Sequence, residues 1–222
     1  MTRPELVVFD MAGTTVEDAG QVPGAFMAAL TEHGLALSTA ELGRVRGASK
    51  REAIRRLLPE TDARYEQAEH VYASFKARLA ERFSAGVAPI PGAAEVFSWL
   101  RRQGTHVALN TGFDRDIVDL LIPALGWESA VDAIVTADDV EHGRPAPDLL
   151  HAAMQRCGVE RADTVAAVGD TALDLEAGLR AGVGWNIGVL SGAHDRATLE
   201  RAPHTHLVSS VAELPGLWSS TD

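Results

Sequence analysis

Four short segments carry residue types suited to phosphate chemistry: Asp10-Met11-Ala12-Gly13-Thr14-Thr15, Asn110-Thr111-Gly112, Gly143-Arg144-Pro145 and Gly169-Asp170-Thr171-Ala172-Leu173-Asp174. An aspartate at the end of one strand supplies a nucleophile, and an aspartate after a distant strand supplies a hard oxygen ligand for magnesium. A threonine hydroxyl and a guanidinium complete a phosphate cradle. Taken singly, each segment has a plain structural reading: Asp10 and Asp170 as loop caps, Thr111-Gly112 as a turn. Their joint occurrence, each at or near the end of a strand-like run, points to one site.

The elements that must position these residues are legible as alternating patterns. The run LVVF (6–9) is unbroken and apolar up to Asp10, as expected of a buried parallel strand that delivers a carboxylate at its C-terminal end. Similar runs follow at 106–110, 133–137, 164–168 and 185–189, separated by helical spacing over 92–103, 114–125, 146–157 and 171–182. This alternation predicts an α/β doubly wound parallel sheet, with ligands at the carboxyl edge. Residues 18–86 break it. They carry helical patterns over 22–33, 39–45, 49–58 and 62–83, and Ser38 with Glu41 fits a capping box. Pro89 and Pro91-Gly92 mark the return, so the reading is a core of residues 1–17 and 87–222 with an all-helical cap over 18–86.

Composition narrows the partners. The 222 residues are 46% hydrophobic, enough for one core plus an insertion, and the formal charge is −11. Such a surface argues against nucleic acid or anionic membrane, which require clustered cations, and leaves a small-molecule substrate. Apolar runs fall well short of the roughly 18 residues of a membrane span, and no signal-peptide pattern is visible, so a cytoplasmic location is the default expectation. Cys157 stands alone before Gly158, which excludes an intrachain disulfide and suits an inert residue near a helix end.

The order of the four motifs resembles the haloacid dehalogenase superfamily, across nearly the whole chain. The resemblance implies a Rossmann-like core in which Asp10 is the nucleophile and Thr111 and Arg144 bind the phosphoryl group, Arg144 replacing the usual lysine. It further implies Mg2+ held by Asp10, the carbonyl of Ala12 and Asp170, with Asp174 in support, and Gly13 and Gly112 shaping the phosphate loops.

Ala12 departs from the pattern of the superfamily's phosphatases, which carry an aspartate there to protonate the departing alkoxide. Without that acid, ester hydrolysis forfeits about 10² to 10⁴ in rate. A leaving carbon needs no such proton if a protonated imine two atoms away accepts the bond electrons. An imine needs a lysine, and the chain has two, Lys50 and Lys76. Lys50 lies in Gly47-Ala48-Ser49-Lys50 at the start of an expected cap helix, where Gly47 would allow close backbone approach. DMAGTT, GRPAP and GASK together resemble phosphonoacetaldehyde hydrolases and phosphonatase-like relatives, whose cap lysine forms a Schiff base before the aspartate attacks phosphorus. The resemblance therefore implies cleavage of a 2-oxoalkylphosphonate through Lys50 and Asp10, and it alone points to a homodimer formed through the cap.

An unperturbed lysine, with a pKa of about 10.4, is almost wholly protonated at neutrality. Arg46, Arg51 and the helix N-terminus are expected to favour the free amine of Lys50. Three residues depart from these hydrolases: Arg46 for methionine, Ala53 for histidine and Phe113 for tyrosine. Arg46 suggests a second anion on the substrate. Two rival readings stand: a phosphomonoesterase or phosphoryl-transfer enzyme that finds its acid elsewhere, and a non-catalytic phosphate-binding module. Lys76 reads as a residue of a solvated helix face. His204-x-His206 lacks a third zinc ligand, and His142 reads as a loop residue.

Overall fold

In the computed structural model of the chain, residues 3–36, 49–58 and 65–219 are described. The helix expected over 39–45, its Ser38/Glu41 box, and Arg46 and Gly47 lie outside them. The apolar runs form strands β1 (Leu6–Asp10), β2 (His106–Asn110), β3 (Ala133–Val135), β4 (Val165–Gly169), β5 (Trp185–Val189) and β6 (His206–Val208). They pair in parallel in the order β3-β2-β1-β4-β5-β6. Successive residues of β1 face opposite sides of the sheet: Val7 and Phe9 enter one apolar cluster, Leu6 and Val8 the other. On the first side Phe97 stands edge-on to Phe9 and to Trp127, with centroids 5.2 and 5.1 Å apart.

Four helices follow strand ends or return to strands much as the spacing predicts. Short elements Arg196–Leu199 and Leu214–Ser219 close the C-terminal side. Numbering the cap helices first, α1 is Gln21–Glu32, α2 is Lys50–Leu57 and α3 is Ala68–Ser84; the sheet then carries α4 (Ala93–Arg102), α5 (Arg115–Leu125), α6 (Asp148–Cys157) and α7 (Ala172–Ala181). Two expectations are corrected. The third run ends at Val135 because Thr136 donates through its amide and hydroxyl to Asp139, 2.7 and 2.8 Å away, and starts a 3-10 turn. Strand β6 was not expected, since three residues on a half-buried edge show no distinct period.

Between Glu17 and Val87 the described elements are all helices. Phe26 of α1 meets Phe75 of α3 edge-on at 5.8 Å, and Ala53 and Ile54 of α2 are fully buried beside them. The two linkers pair with each other, Glu17 N–H to the carbonyl of Ala88 at 2.9 Å and Ile90 N–H to that of Thr15 at 2.8 Å. We place the core–cap boundaries beside this pairing, at 17/18 and 86/87.

Candidate active site

The strand order changes direction beside β1, so the carboxyl ends of β1, β2 and β4 open into one crevice. Asp10 ends β1 and is 6% exposed. Arg144 reaches it from the loop before α6: Nη1 lies 2.7 Å from Asp10 Oδ1, Nε lies 2.9 Å from Asp174 Oδ1, and Nη2 donates to the side-chain and main-chain oxygens of Asn110. Three nitrogens of one guanidinium thus bind three elements. Asp174 sits in the first turn of α7, where Thr171 caps the helix and donates its amide to Asp174 at 3.0 Å.

Asp170, two residues before α7 begins and 2% exposed, accepts Thr14 Oγ1–H at 3.2 Å and the Ala193 amide at 2.6 Å. Two glycines permit this approach. A β-carbon on Gly13, whose φ is +89°, would lie 2.5 Å from Asp170 Oδ2, and one on Gly192 would lie 2.0 Å from it. Ser191 ties the two loops together by donating to the carbonyl of Gly13 at 2.8 Å.

Three buried carboxylates face one guanidinium. Burial, opposed by Arg144 and reinforced by Asp174, pushes the Asp10 carboxyl up to about 6. Burial and the charges of Asp10 and Asp174 push Asp170 well above the usual carboxylate range. Burial works against charge on Arg144, yet Asp174 and Asp10 hold it more firmly protonated than an ordinary arginine. The excess of hard, negatively charged oxygen fits a divalent cation such as magnesium. Among the described residues no three His, Cys, Asp or Glu side chains form a ready-made cage, and Arg144 binds both Asp10 and Asp174. Asp10, Asp170 and a backbone carbonyl are the groups left for a cation.

A cavity of about 340 Å³ rises from this floor to the cap. Its core side is lined by Asp10, Ala12, Gly13, Thr111, Gly112, Phe113, Arg144, Asp170 and Asp174, and by the Ser191–Ala193 loop. Its cap side is lined by Asp18, Gly20, Val22, Pro23, Phe26 and Lys50. Lys50 opens α2, and its Nζ lies 5.9 Å from the centre of the Phe26 ring. Gly143, beside Arg144, leaves 3.6 Å between the position of a β-carbon and Ser49 Cβ, so the start of α2 rests against the Arg144 loop. Thr111 is buried, with Oγ1 accepting the Phe113 amide at 3.2 Å.

The model of the haloacid dehalogenase-like hydrolases matches residues 4–182. The chain belongs to that family. It is 30% identical over 96% of its length to a phosphonoacetaldehyde hydrolase of Bacteroides fragilis, covering 88% of that protein. A hydrolase from Pseudomonas syringae superposes with a TM-score of 0.87 at 28% identity, all of both chains being covered. A phosphonoacetaldehyde hydrolase-like protein from Oleispira antarctica gives 0.82 at 27% identity, over 97% of this chain and 91% of that one.

Within this haloacid dehalogenase-like fold the expected residues Asp10, Ala12, Gly13, Lys50, Thr111, Gly112, Arg144, Asp170 and Asp174 line one cavity. Arg46 and Gly47 lie outside the described residues. Arg51, which follows Lys50, pairs with acids, with Nε 3.5 Å from Glu69 and Nη2 4.0 Å from Asp114. Lys76, expected on a solvated face, is only partly solvated and meets core acids: Nζ lies 2.7 Å from Asp116 and 3.3 Å from Asp114. His142 pairs with Asp148 at 3.2 Å, while His204 and His206 bond to Ala202 and Thr205, away from the cavity. Burial raises the Cys157 thiol to about 11, in keeping with an inert residue. Sequence reasoning missed Asp18 and the Ser191–Ala193 loop, although Ser-Gly-Ala just after a strand was a usable signal.

Proposed function

We propose that the protein hydrolyses the carbon–phosphorus bond of a 2-oxoalkylphosphonate, phosphonoacetaldehyde or a relative. One observation carries the reading: a cap lysine and a core aspartate line the same cavity, in a site where Ala12 leaves the usual acid position empty of any titratable group. Arg144 and Thr111 hold the phosphonate oxygens. Lys50 condenses with the 2-oxo group, releasing water and forming a protonated imine. An Asp10 oxygen attacks phosphorus, the carbon–phosphorus bond breaks, and its electron pair passes through carbon to the imine nitrogen, giving an enamine. Water then hydrolyses the aspartyl-phosphate to phosphate. The enamine takes a proton on carbon and is hydrolysed to the aldehyde or ketone, freeing Lys50.

Magnesium fits the excess of carboxylate oxygen, held by Asp10, Asp170 and the Ala12 carbonyl with Asp174 behind. It would supply charge neutralisation to the phosphonate. The position that holds histidine in the similar hydrolases is here Ala53, packed inside the cap. Asp18 lines the cavity instead, with Oδ1 accepting the Val22 amide at 3.0 Å. That carboxylate also favours a second reading, a phosphomonoesterase that uses Asp18 as its acid.

Borohydride trapping with phosphonoacetaldehyde and magnesium, read by peptide mass spectrometry, separates the two. The expected result is a substrate-dependent adduct on Lys50 and loss of phosphonate cleavage in Lys50→Arg. No adduct, with ready release of phosphate from alkyl esters that Asp18→Asn abolishes, would establish the phosphomonoesterase instead.

A further inference from the structure

Asp114 occupies the N-cap of α5 but does not bond its own helix with its side chain. A carboxylate at that position ordinarily accepts a first-turn amide. Here it is 6% exposed and turned towards the cap. Tyr72 of α3 donates its hydroxyl to Oδ1 at 2.5 Å, Lys76 of α3 brings Nζ to 3.3 Å from Oδ2, and Arg51 of α2 brings Nη2 to 4.0 Å from Oδ2. Arg51 also lies over the Tyr72 ring at 4.7 Å. Burial and Asp114 push the Tyr72 hydroxyl far above an ordinary phenol, so it remains a donor.

Both sides of this junction run directly into the cavity. On the core side Thr111, Gly112 and Phe113 immediately precede Asp114, and Phe113 packs edge-on against Phe83 of α3 at 6.0 Å. On the cap side Arg51 directly follows Lys50.

We propose that Asp114 is the docking point by which the core sets the cap in register and so holds Lys50 above Asp10. It is a positioning residue, acting through Arg51 and Tyr72 rather than by touching substrate. Its effect on chemistry rests on the Lys50 reading above, whereas its effect on cap position does not. A buried core carboxylate met by donors from two cap helices gives one preferred seating, because any displacement of the cap leaves that carboxylate without partners.

The experiment compares wild type, Asp114→Ala and the gentler Tyr72→Phe. It measures turnover of phosphonoacetaldehyde, which needs Lys50, and of acetyl phosphate, whose leaving group needs neither lysine nor acid. Hydrogen exchange of the α2 and α3 amides reports cap seating without any chemistry. A misplacement of about 1 Å costs on the order of 10²-fold, so the expected result for Asp114→Ala is a fall of that order in kcat for phosphonoacetaldehyde. Turnover of acetyl phosphate and its KM stay near wild type, and exchange in α2 and α3 rises. Tyr72→Phe, which removes one hydroxyl, moves the same quantities the same way to a smaller extent. Unchanged exchange, or equal losses on both substrates, overturns the proposal. If wild type forms no Lys50 adduct, the Lys50 reading fails and exchange alone decides the docking role.

Discussion

Gly192→Ala tests whether Asp170 is a metal ligand without touching a charged group. The added β-carbon would lie 2.0 Å from Asp170 Oδ2, 2.4 Å from Cγ and 2.5 Å from Cβ, whereas ordinary contacts begin near 3.4 Å. Either the carboxylate or the loop must therefore retreat by more than about 1 Å, since packed interiors have no slack to absorb the clash. Asp170 has little freedom to do so, being 2% exposed and held by Thr14 and the Ala193 amide. If the loop moves instead, it carries Ala193 away from the same carboxylate. Overpacking of this kind costs about 1–3 kcal/mol of stability. Disturbing the groups that orient a ligand costs about 10- to 100-fold in metal affinity. Calorimetric titration with magnesium should show that loss, with activity restored at correspondingly higher magnesium. Gly126→Ala is the control, because φ is +66° there and nothing lies within 4 Å of the added carbon, so it strains the backbone far from the site. A folded Gly192→Ala with wild-type magnesium affinity, or an equal loss in Gly126→Ala, would refute the assignment.

Three further outcomes are expected. Ala12→Asp restores an acid in the cavity and should raise hydrolysis of alkyl phosphate esters by up to about 10²-fold; unchanged ester turnover in a folded variant would show that the acid position is not what limits it. Asp10 is pushed up to about 6 and Asp170 is raised as well, so the stability they contribute is complete below the ordinary carboxylate range and is lost as pH rises through about 6. The metal-free protein should thus melt higher near about pH 5 than near about pH 7.5, magnesium should raise Tm more at the higher pH, and the reverse order in a melting series would contradict this assignment. Phe97→Ala removes the ring between Phe9 and Trp127 and should cost about 3–5 kcal/mol in urea unfolding, where under about 1 kcal/mol would mean that the sheet does not depend on this packing.

The parts visible in the sequence are those where one strand dictates both burial and placement. LVVF is apolar throughout because both faces of β1 are covered, and Asp10, the last residue of β1, meets the crevice by construction. The same logic located Thr111, Asp170 and Asp174. What stayed hidden depends on pairs far apart in the chain. Asp18 enters the cavity only because the linkers at Glu17 and Ala88 pair, and Gly192 becomes indispensable only beside Asp170. Lys76 misled because a lysine among charged neighbours on a helix usually faces water; here Asp114 and Asp116 of the core lie opposite.

Arg144 and Ala12 make sense together. A lysine ammonium would have to reach Asp10, Asp174 and Asn110 from a single nitrogen, whereas Arg144 meets them with three separate nitrogens of a rigid plane. That junction fixes Asp10 within a buried, overcharged site, which suits a nucleophile that must meet phosphorus in one orientation. If Asp10 is the nucleophile proposed, the floor of the cavity is organised for attack but carries, at Ala12, nothing that can protonate a leaving group. On the proposed reading the remedy comes from above: the electrons leave through carbon to nitrogen, so the assistance belongs on the cap, where Lys50 stands. Moving that assistance from core to cap makes catalysis depend on how the two bodies are seated. A buried carboxylate at Asp114, turned away from its own helix towards the cap, is what such a dependence requires.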